Sequence, residues 1–279
     1  MRNISRWRAA VLGAVLLGGG IGAGPAHAAL KDIYASNNSG AMDIGLKRQK
    51  YGESKDDAAF DYEKGTLPDI GFSLNYMPHT PRSSWFLRNL YLSMRGDIAF
   101  GQTDYTGALC DQFNNCTPLT TKTDNTIFTF SGRLGHGFPI GTQLMLIPYG
   151  DLGFRTWRRT ITGVGGYTED YQHGSVMAGL LTQYAPGERW VLALDAEAGK
   201  TFSAEMTGLG RTFELGSRTS WQMAGQVGYR MTKHLELTAR GEFSGFGYGI
   251  SPTVGGYLEP DSYTHNLRAT VGVAYQFAP

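Results

Sequence analysis

Hydrophobic and polar residues alternate with a period of two over most of this chain. In the closing stretch RATVGVAYQF (268–277), every second residue back from Phe277 is apolar, and the residues between are small or polar. A period of two predicts β-strands, in which successive side chains point to opposite faces. The same pattern occurs in ten segments, at residues 40–51, 67–77, 86–105, 125–137, 142–158, 168–184, 189–202, 212–230, 234–246 and 264–277. No convincing helical periodicity interrupts them, so the chain is predicted to be all-β, with about ten antiparallel strands.

The connections between these segments alternate in length. The short ones are MPHTPRSSW, GFPIG, APGE and MTK. The longer ones are GESKDDAAFDYEKG (52–65), TGALCDQFNNCTPLTTKTD (106–124), RTITGVGGY, SAEMTGLG and GFGYGISPTVGGYLEPDS. Transmembrane β-barrels with an even number of strands have short periplasmic turns and longer extracellular loops. The pattern therefore predicts a single antiparallel transmembrane β-barrel that displays its long loops on the cell surface.

The two faces of each predicted strand differ in charge. In segment 234–246, one face carries Leu235, Leu237, Ala239 and Phe243, and the other carries Glu236, Arg240 and Glu242. A soluble β-sandwich would bury the apolar face, but it would not place charges of both signs at the middle of strand after strand. Aromatic residues also lie near strand ends, as in an interfacial girdle: Trp190, Trp221, Tyr229, Tyr275 and Phe277. Both observations favour a barrel with its apolar face in lipid and its polar face in the lumen.

The inward-facing charges form two groups of similar size. The network we predict in the lumen consists of Asp43, Lys47, Asp69, Arg95, Asp97, Arg133, Asp151, Arg155, Asp195, Glu197, Arg218, Glu236, Arg240, Glu242 and Arg268. Unpaired charges in a narrow lumen carry a desolvation cost of several kcal/mol each, so these groups are expected to pair. A barrel of about ten strands is only slightly wider than the smallest barrels, whose interiors side chains fill. We expect a plugged lumen, and a narrow ion path is the alternative.

The N-terminus predicts export. Residues 1–28 begin with MRNISRWR, continue with an apolar run and end in PAHA, which is the pattern of a signal peptide cleaved after Ala28. The barrel domain is then residues 29–279. Cleavage removes three arginines and leaves 22 Lys and Arg against 24 Asp and Glu, so no basic field for nucleic acid remains. Glycine provides 39 of the 279 residues and aromatic residues 12%, which suits a closed, strongly tilted sheet.

The two cysteines, Cys110 and Cys116, lie close together in the predicted loop 106–124. In an oxidising compartment such a pair is expected to close a small disulfide loop. A metal site would need more ligands than this segment offers, and we expect no metal and no cofactor.

Omptin proteases are ten-stranded barrels of similar length, so an enzymatic function is an alternative. Their catalysis uses an Asp pair and an Asp–His pair at the extracellular rim. The local candidate here is TEDYQH, in which Glu169 and His173 share one strand face about 13 Å apart, too far for a hydrogen bond. The carboxylates of DAE (195–197) lie mid-strand without a neighbouring histidine in the sequence. We expect no enzyme, although a Ser–His site assembled across strands stays open.

Several stretches resemble a known group of proteins. YLSMRGDIAFGQTDYTG, LIPYGDLGFRTWRR, GYTEDYQHGSVMAGLL and GYLEPDSYTHNLRATVGVAYQF are similar to uncharacterised proteobacterial outer-membrane β-barrel proteins. The resemblance implies an outer-membrane location and a barrel fold, and it implies no catalytic residues. The alternating last strand, with Val273, Tyr275 and Phe277, also resembles the signal that barrel-assembly machinery recognises, although Ala278 and Pro279 follow the aromatic residue here.

The expected role is structural or surface-interacting, in a Gram-negative outer membrane. The expected partners are outer-membrane lipids, lipopolysaccharide and the barrel-assembly machinery, with an extracellular ligand that the sequence does not identify and no nucleic acid. A small passive channel and an omptin-like endopeptidase are the alternatives, and a soluble periplasmic β-protein is the remaining one.

Overall fold

The computed structural model describes residues 27–55, 58–79, 87–110, 116–163 and 165–277. Within them the chain forms a helix, α1 (His27–Ser36), and twelve strands. The strands are β1 (Ser39–Lys55), β2 (Ala58–Tyr76), β3 (Leu90–Cys110), β4 (Cys116–His136), β5 (Phe138–Ile140), β6 (Leu144–Ile161), β7 (Thr168–Tyr184), β8 (Trp190–Gly208), β9 (Arg211–Leu215), β10 (Thr219–Arg230), β11 (Leu235–Tyr248) and β12 (Asp261–Gln276). No helix in this described part of the chain is long and apolar enough to cross a membrane.

The ten long strands close into one antiparallel barrel. Each pairs with its neighbours in the chain, β8 pairs with β10, and β1 pairs with β12 to complete the ring. The short strands β5 and β9 pair only with β6 and β8, respectively. The predicted all-β barrel of about ten antiparallel strands is therefore confirmed.

The two ends of the barrel differ. At one end, here called the turn end, lie α1, Phe277 and connections such as residues 185–189 and 231–234. The other end, the hairpin end, carries the β1–β2, β3–β4 and β11–β12 connections.

Three predicted long loops were wrong. Residues 52–55 and 58–65 continue the β-ladder of β1–β2, with Glu53 opposite Asp61, and residues 106–110 and 116–124 continue that of β3–β4, with Tyr105 opposite Thr121. Most of SAEMTGLG (203–210) likewise lies in β8, which extends to Gly208 and pairs there with β7 and β9. These parts of the strands lack an apolar outer face, which a strand needs only where it meets lipid. The polar composition of the extensions therefore concealed their alternation.

The outward side chains form the apolar surface expected of a membrane barrel. Met42 is 70% exposed and Leu194 is 69% exposed, while their inward neighbours along β1 and β8 are partly or fully buried. Such values are unusual for apolar residues in water but ordinary for side chains that face lipid. Aromatic side chains at the turn end of this surface are exposed as well: Tyr76, Phe138, Tyr184, Trp190, Tyr275 and Phe277.

One irregularity changes which residues of β8 face inward. Ser203 has a positive φ of 47°, and the alternation of inward and outward residues shifts there. An odd-numbered residue, Thr201, is buried before the shift, and the even-numbered Ala204 and Met206 are buried after it. The extra residue is a β-bulge, which re-aims the side chains that follow it. The predicted strand 212–230 is also interrupted, because residues 216–218 separate β9 from β10.

Helix α1 was not predicted, and it fills the turn end of the barrel. Ile33 is fully buried in an apolar cluster with Met77, Met145, Ile147 and Leu181. Asp32 binds Arg230 at 2.5 Å, and the hydroxyl of Tyr34 donates to Asn89 Oδ1 at 2.9 Å. A helix of ten residues shows fewer than three turns of helical periodicity, and it lies at a predicted cleavage site. Its pattern therefore does not stand out in the sequence.

Candidate functional site: the charged lumen

The middle of the lumen contains a layer of alternating charges from β1, β2, β3 and β12. Arg268 bonds Asp43 at 2.7 Å and Asp69 at 2.5 Å, and Lys47 bonds Asp69 at 3.3 Å and also Asp97. All five groups project from the odd face of β1, β2 or β3 or from the even face of β12, as the alternation requires. Charge-assisted bonds of this kind compensate the loss of hydration in the lumen.

A second centre is built on Arg133 of β4 and is called the Arg133 cluster. Its Nε, Nη1 and Nη2 atoms bond Asp151 at 2.9 Å, Asp195 at 2.8 Å and Glu197 at 2.8 Å. The guanidinium carbon lies 4.4 Å from the ring centroid of Tyr149, whose hydroxyl donates to Asp195 Oδ1 at 2.5 Å. One cation therefore joins β4 to β6 and to the more distant β8.

The two centres are linked through β11. Arg240 lies 3.5 Å from Asp195 and 3.2 Å from Glu242, and Arg95 lies 3.9 Å from Glu242. Glu242 is directly opposite Arg268 in the ladder of β11 and β12. The charges therefore form one continuous network around the lumen.

A third centre lies nearer the hairpin end and is called the Arg159 cluster. Arg159, 1% exposed, bonds Glu169 at 2.6 Å, Glu63 at 2.7 Å and Glu53 at 3.4 Å. Aromatic rings enclose the guanidinium, whose carbon lies within 6 Å of three ring centroids: Tyr51 at 4.9 Å, Tyr105 at 5.3 Å and Trp157 at 5.7 Å. Cation–π contacts of this kind are strongest where water is excluded.

The connection between β11 and β12 folds into the same cluster. The hydroxyl of Tyr171 donates to Glu259 Oε1 at 2.6 Å, and the backbone N–H of Glu259 donates to Ser251 Oγ at 2.8 Å. Burial, together with the nearby carboxylates of Glu53 and Glu169, raises the pKa of Glu259 well above its usual range. The bonds of Glu259 to Tyr171 and Ser251 therefore tie this loop over the hairpin end of the lumen.

The predicted network residues lie in the lumen with one clear exception. Arg218 lies between β9 and β10, where its side chain is half-exposed and paired with Asp261. The prediction for Arg218 was wrong because the interruption at residues 216–218 removes it from the inward face. Glu236 is buried beside α1, where it accepts bonds from Ser36 at 3.3 Å and Gln276 at 2.7 Å.

Arg155 lies in the lumen but has no carboxylate within salt-bridge distance among the described residues. It donates to Gln49 at 3.2 Å and Thr129 at 3.4 Å, and its guanidinium lies 4.9 Å from the Phe246 ring. The prediction that the lumen charges pair with opposite charges therefore does not hold for Arg155.

The Arg159 cluster was missed at the level of sequence. Glu53 and Glu63 fell in the predicted loop 52–65, and the predicted strand 142–158 ended one residue before Arg159. The odd-numbered alternation Arg155, Trp157, Arg159 could have extended that strand. Nothing in the sequence indicates that Glu259 returns to the lumen from a loop.

Glu169 and His173 have separate partners. Glu169 binds Arg159, while His173 Nδ1 lies 2.8 Å from the Tyr248 hydroxyl, and both side chains are buried. This arrangement does not provide the carboxylate–histidine contact with which a water molecule could be activated. No group of three or more His, Cys, Asp or Glu side chains in the described residues could hold a metal ion.

Two further sequence predictions concern β3, β4 and β12. Cys110 and Cys116 are directly opposite each other in the backbone ladder of β3 and β4, but their side chains lie outside the described residues, so the disulfide stays a prediction. Val273, Tyr275 and Phe277 point outward from the last strand, each about half-exposed.

Two small cavities lie within the lumen. A cavity of about 70 Å³ lies between α1 and the Arg133 cluster, and one of about 100 Å³ lies beside Arg155 and Asp97. These volumes suit a few water molecules.

Known proteins are similar to this chain in sequence or in structure. Residues 13–217 match the model of the outer membrane protein beta-barrel domain family. The structure is similar to the outer membrane protease OmpT from Escherichia coli, with 11% identity and a TM-score of 0.58, covering 87% of this chain and 98% of that one. It also matches the attachment invasion locus protein Ail of Yersinia pestis, with 13% identity and a TM-score of 0.32, covering 86% of this chain and 99% of that one. No curated protein sequence matches this chain.

The family match covers most of the chain, and the closed barrel with an apolar outer surface agrees with it. Proteins of this family lie in the Gram-negative outer membrane. The chain belongs to the outer membrane protein beta-barrel domain family and is a protein of that membrane.

Proposed function

We propose that this protein is a closed outer-membrane barrel with a structural and surface-interacting role, in which the lumen serves to hold a rigid wall together. The observation that carries the proposal is that two buried arginines, Arg133 and Arg159, each bond three carboxylates. Side chains that line an ion path must exchange their binding partners with the passing ions. A guanidinium with three charge-assisted bonds in a low-dielectric interior is instead held firmly.

Closure at both ends supports the same proposal. Ile33 of α1 is buried at the turn end, and Glu259 is bonded to Tyr171 at the hairpin end. The internal cavities of about 70 and 100 Å³ are far smaller than a water-filled pore through a membrane.

The surface-interacting part of the proposal rests on the extended hairpins. The ladder of β1 and β2 continues to Lys55 and Ala58, and that of β3 and β4 continues to Cys110 and Cys116. Binding residues commonly lie on segments that a rigid scaffold holds in place. Paired strands lose less conformational freedom on binding a partner than unpaired loops would.

Solute permeation tests the closed lumen. The refolded mature chain is reconstituted in liposomes, and swelling is followed with small neutral sugars, alongside liposomes with an open porin. We expect no swelling above that of protein-free liposomes. Swelling at a rate proportional to the amount of this protein would instead make it a small channel, with Arg95 and Arg240 as the first candidates for controlling its selectivity.

A further inference from the structure

Three cationic side chains lie together on the outer wall near the hairpin end. Lys50 of β1 is directly opposite Lys64 of β2, and Arg48 lies two residues along β1 towards the turn end. On the other side of Lys50, His265 of β12 is its direct partner. All four side chains are exposed and point away from the lumen. Arg48, Lys50 and Lys64 are here called the cationic patch.

The side chains of the cationic patch are not held in salt bridges among the described residues. None of its three side chains forms a salt bridge with any described residue, whereas Lys122 binds Asp104 and Arg158 binds Asp170 on the same outer surface. Asp104 is opposite Lys64 in the ladder, but its carboxylate bonds Lys122. Like charges directly opposite each other destabilise a sheet. A bound anion would remove this repulsion.

The surroundings of the patch are those of a membrane boundary. Towards the turn end, the outward residues next to it are apolar and exposed: Ile44, Leu46, Ile70 and Leu267. Towards the hairpin end, Tyr62 and Tyr263 flank Gly52 on the next row of the ladder, and their rings are partly exposed. A ligand on this patch therefore meets positive charge, phenol hydroxyls and an apolar wall together.

We propose that the cationic patch binds the phosphate groups of a phosphorylated glycolipid in the outer leaflet. The hairpin end faces the cell exterior, because short turns lie on the periplasmic side of such barrels. The patch therefore lies at the level of the outer-leaflet headgroups, with the apolar wall beside the acyl chains. A free phosphate ion would use the cations but would gain nothing from Leu46, Ile44 or Leu267. The inference does not depend on whether the lumen conducts.

Native mass spectrometry of the mature chain in detergent tests this proposal. The probes are diphosphoryl lipid A, the same lipid after enzymatic removal of both phosphates, and inorganic phosphate. The test variant is Arg48→Gln/Lys50→Gln/Lys64→Gln. The matched control is Lys31→Gln/Lys200→Gln/Lys233→Gln, which removes the same charge from exposed positions elsewhere. Heat-modifiable migration on gels first establishes that both variants are folded.

We expect the wild type and the control to retain one diphosphoryl lipid, and the patch variant to bind it about tenfold more weakly, which corresponds to ~1.4 kcal/mol. The dephosphorylated lipid should bind the wild type as weakly as the diphosphoryl lipid binds the patch variant. Equal retention by the wild type and the patch variant, or of the two lipids, would overturn the proposal. Inorganic phosphate that displaces the lipid at millimolar concentration would overturn the assignment to a lipid and identify a free-anion site.

Discussion

Arg133 Nη1 on β4 lies 2.8 Å from Asp195 Oδ2 on β8, and β6 and β7 separate these two strands around the barrel. The bond therefore joins parts of the wall that share no backbone ladder. Because Arg133 also bonds Asp151 and Glu197, its side chain fixes the spacing of three strands at once. The central claim of our account is that such bonds close the lumen.

Removal of Arg133 should destabilise the barrel strongly. Arg133→Gln leaves Asp151 and Glu197 without a counter-ion in a buried site and Asp195 with Arg240 alone, and breaking a buried ion pair typically costs about 3–5 kcal/mol. We expect the free energy of unfolding in urea, followed by tryptophan fluorescence in lipid vesicles, to fall by roughly that amount.

Arg158→Gln is the matched control, because Arg158 also binds a carboxylate, Asp170, but at an exposed position. Its cost should be under about 1 kcal/mol. Similar losses for the two variants would mean that Arg133 contributes no more than a surface ion pair.

The docking of Glu259 should depend on pH. Its pKa is raised in the docked loop, where it faces Glu53 on β1, Arg159 on β6, and Glu169 and Tyr171 on β7. A released Glu has a pKa of about 4.3. Because docking raises the pKa of Glu259, docking is most favourable below about pH 4.3, the pKa of the released side chain. Docking is weakened as the pH rises through the pKa of the docked side chain. Hydrogen exchange of residues 249–260, corrected for intrinsic rates, should therefore increase at high pH.

Glu259→Gln keeps a neutral side chain at every pH and should abolish this increase while leaving exchange slow. An unchanged pH dependence in Glu259→Gln would assign the titration to another group of the cluster.

Helix α1 should leave the turn end when a charge is introduced into its buried face. Ile33→Glu places a carboxylate among Met77, Met145 and Ile147, and an isolated charge is too costly to bury there. We expect fast hydrogen exchange in residues 30–38, with the strands still protected. Lys31→Glu, at an exposed position of the same helix, should leave exchange unchanged. Continued protection in Ile33→Glu would show that α1 is not held by this apolar contact.

Cys110 and Cys116 should form a disulfide in the exported protein. Directly opposed residues of an antiparallel pair have Cα atoms about 4.5–5.5 Å apart, within the range that a disulfide requires. Intact mass after treatment with iodoacetamide should show alkylation only when a reductant is added. Alkylation of both cysteines without reductant would exclude the bond.

The barrel itself was predictable because lipid and lumen impose opposite demands on alternate residues. The segment 234–246 carries that signal in full, with Leu235, Leu237 and Phe243 outside and Glu236, Arg240 and Glu242 inside. Most of the predicted lumen charges follow from the same rule, since a period of two fixes the face of every residue in an uninterrupted strand.

The remaining features depend on local breaks in the strands and on contacts between segments that are distant in the sequence. The interruption that exposes Arg218 and the bulge at Ser203 break the period locally, and a single shift reverses the face of each residue beyond it. The Arg159 cluster lies near the hairpin end, where β1 and β2 lack an apolar outer face, so the alternation of apolar and polar residues no longer marks it. Glu259 reaches the cluster from a connection whose path the local sequence does not encode.

The most direct test of the closed lumen is single-channel conductance of the refolded chain 29–279 in a planar bilayer. Insertion is verified with protein that shows heat-modifiable barrel migration. With α1, the Arg133 cluster and the Arg159 cluster in place, our account predicts a flat current trace over the full voltage range. Stable, discrete openings that recur with each insertion would contradict it, because the bonds of Arg133 and Arg159 would then line an open path.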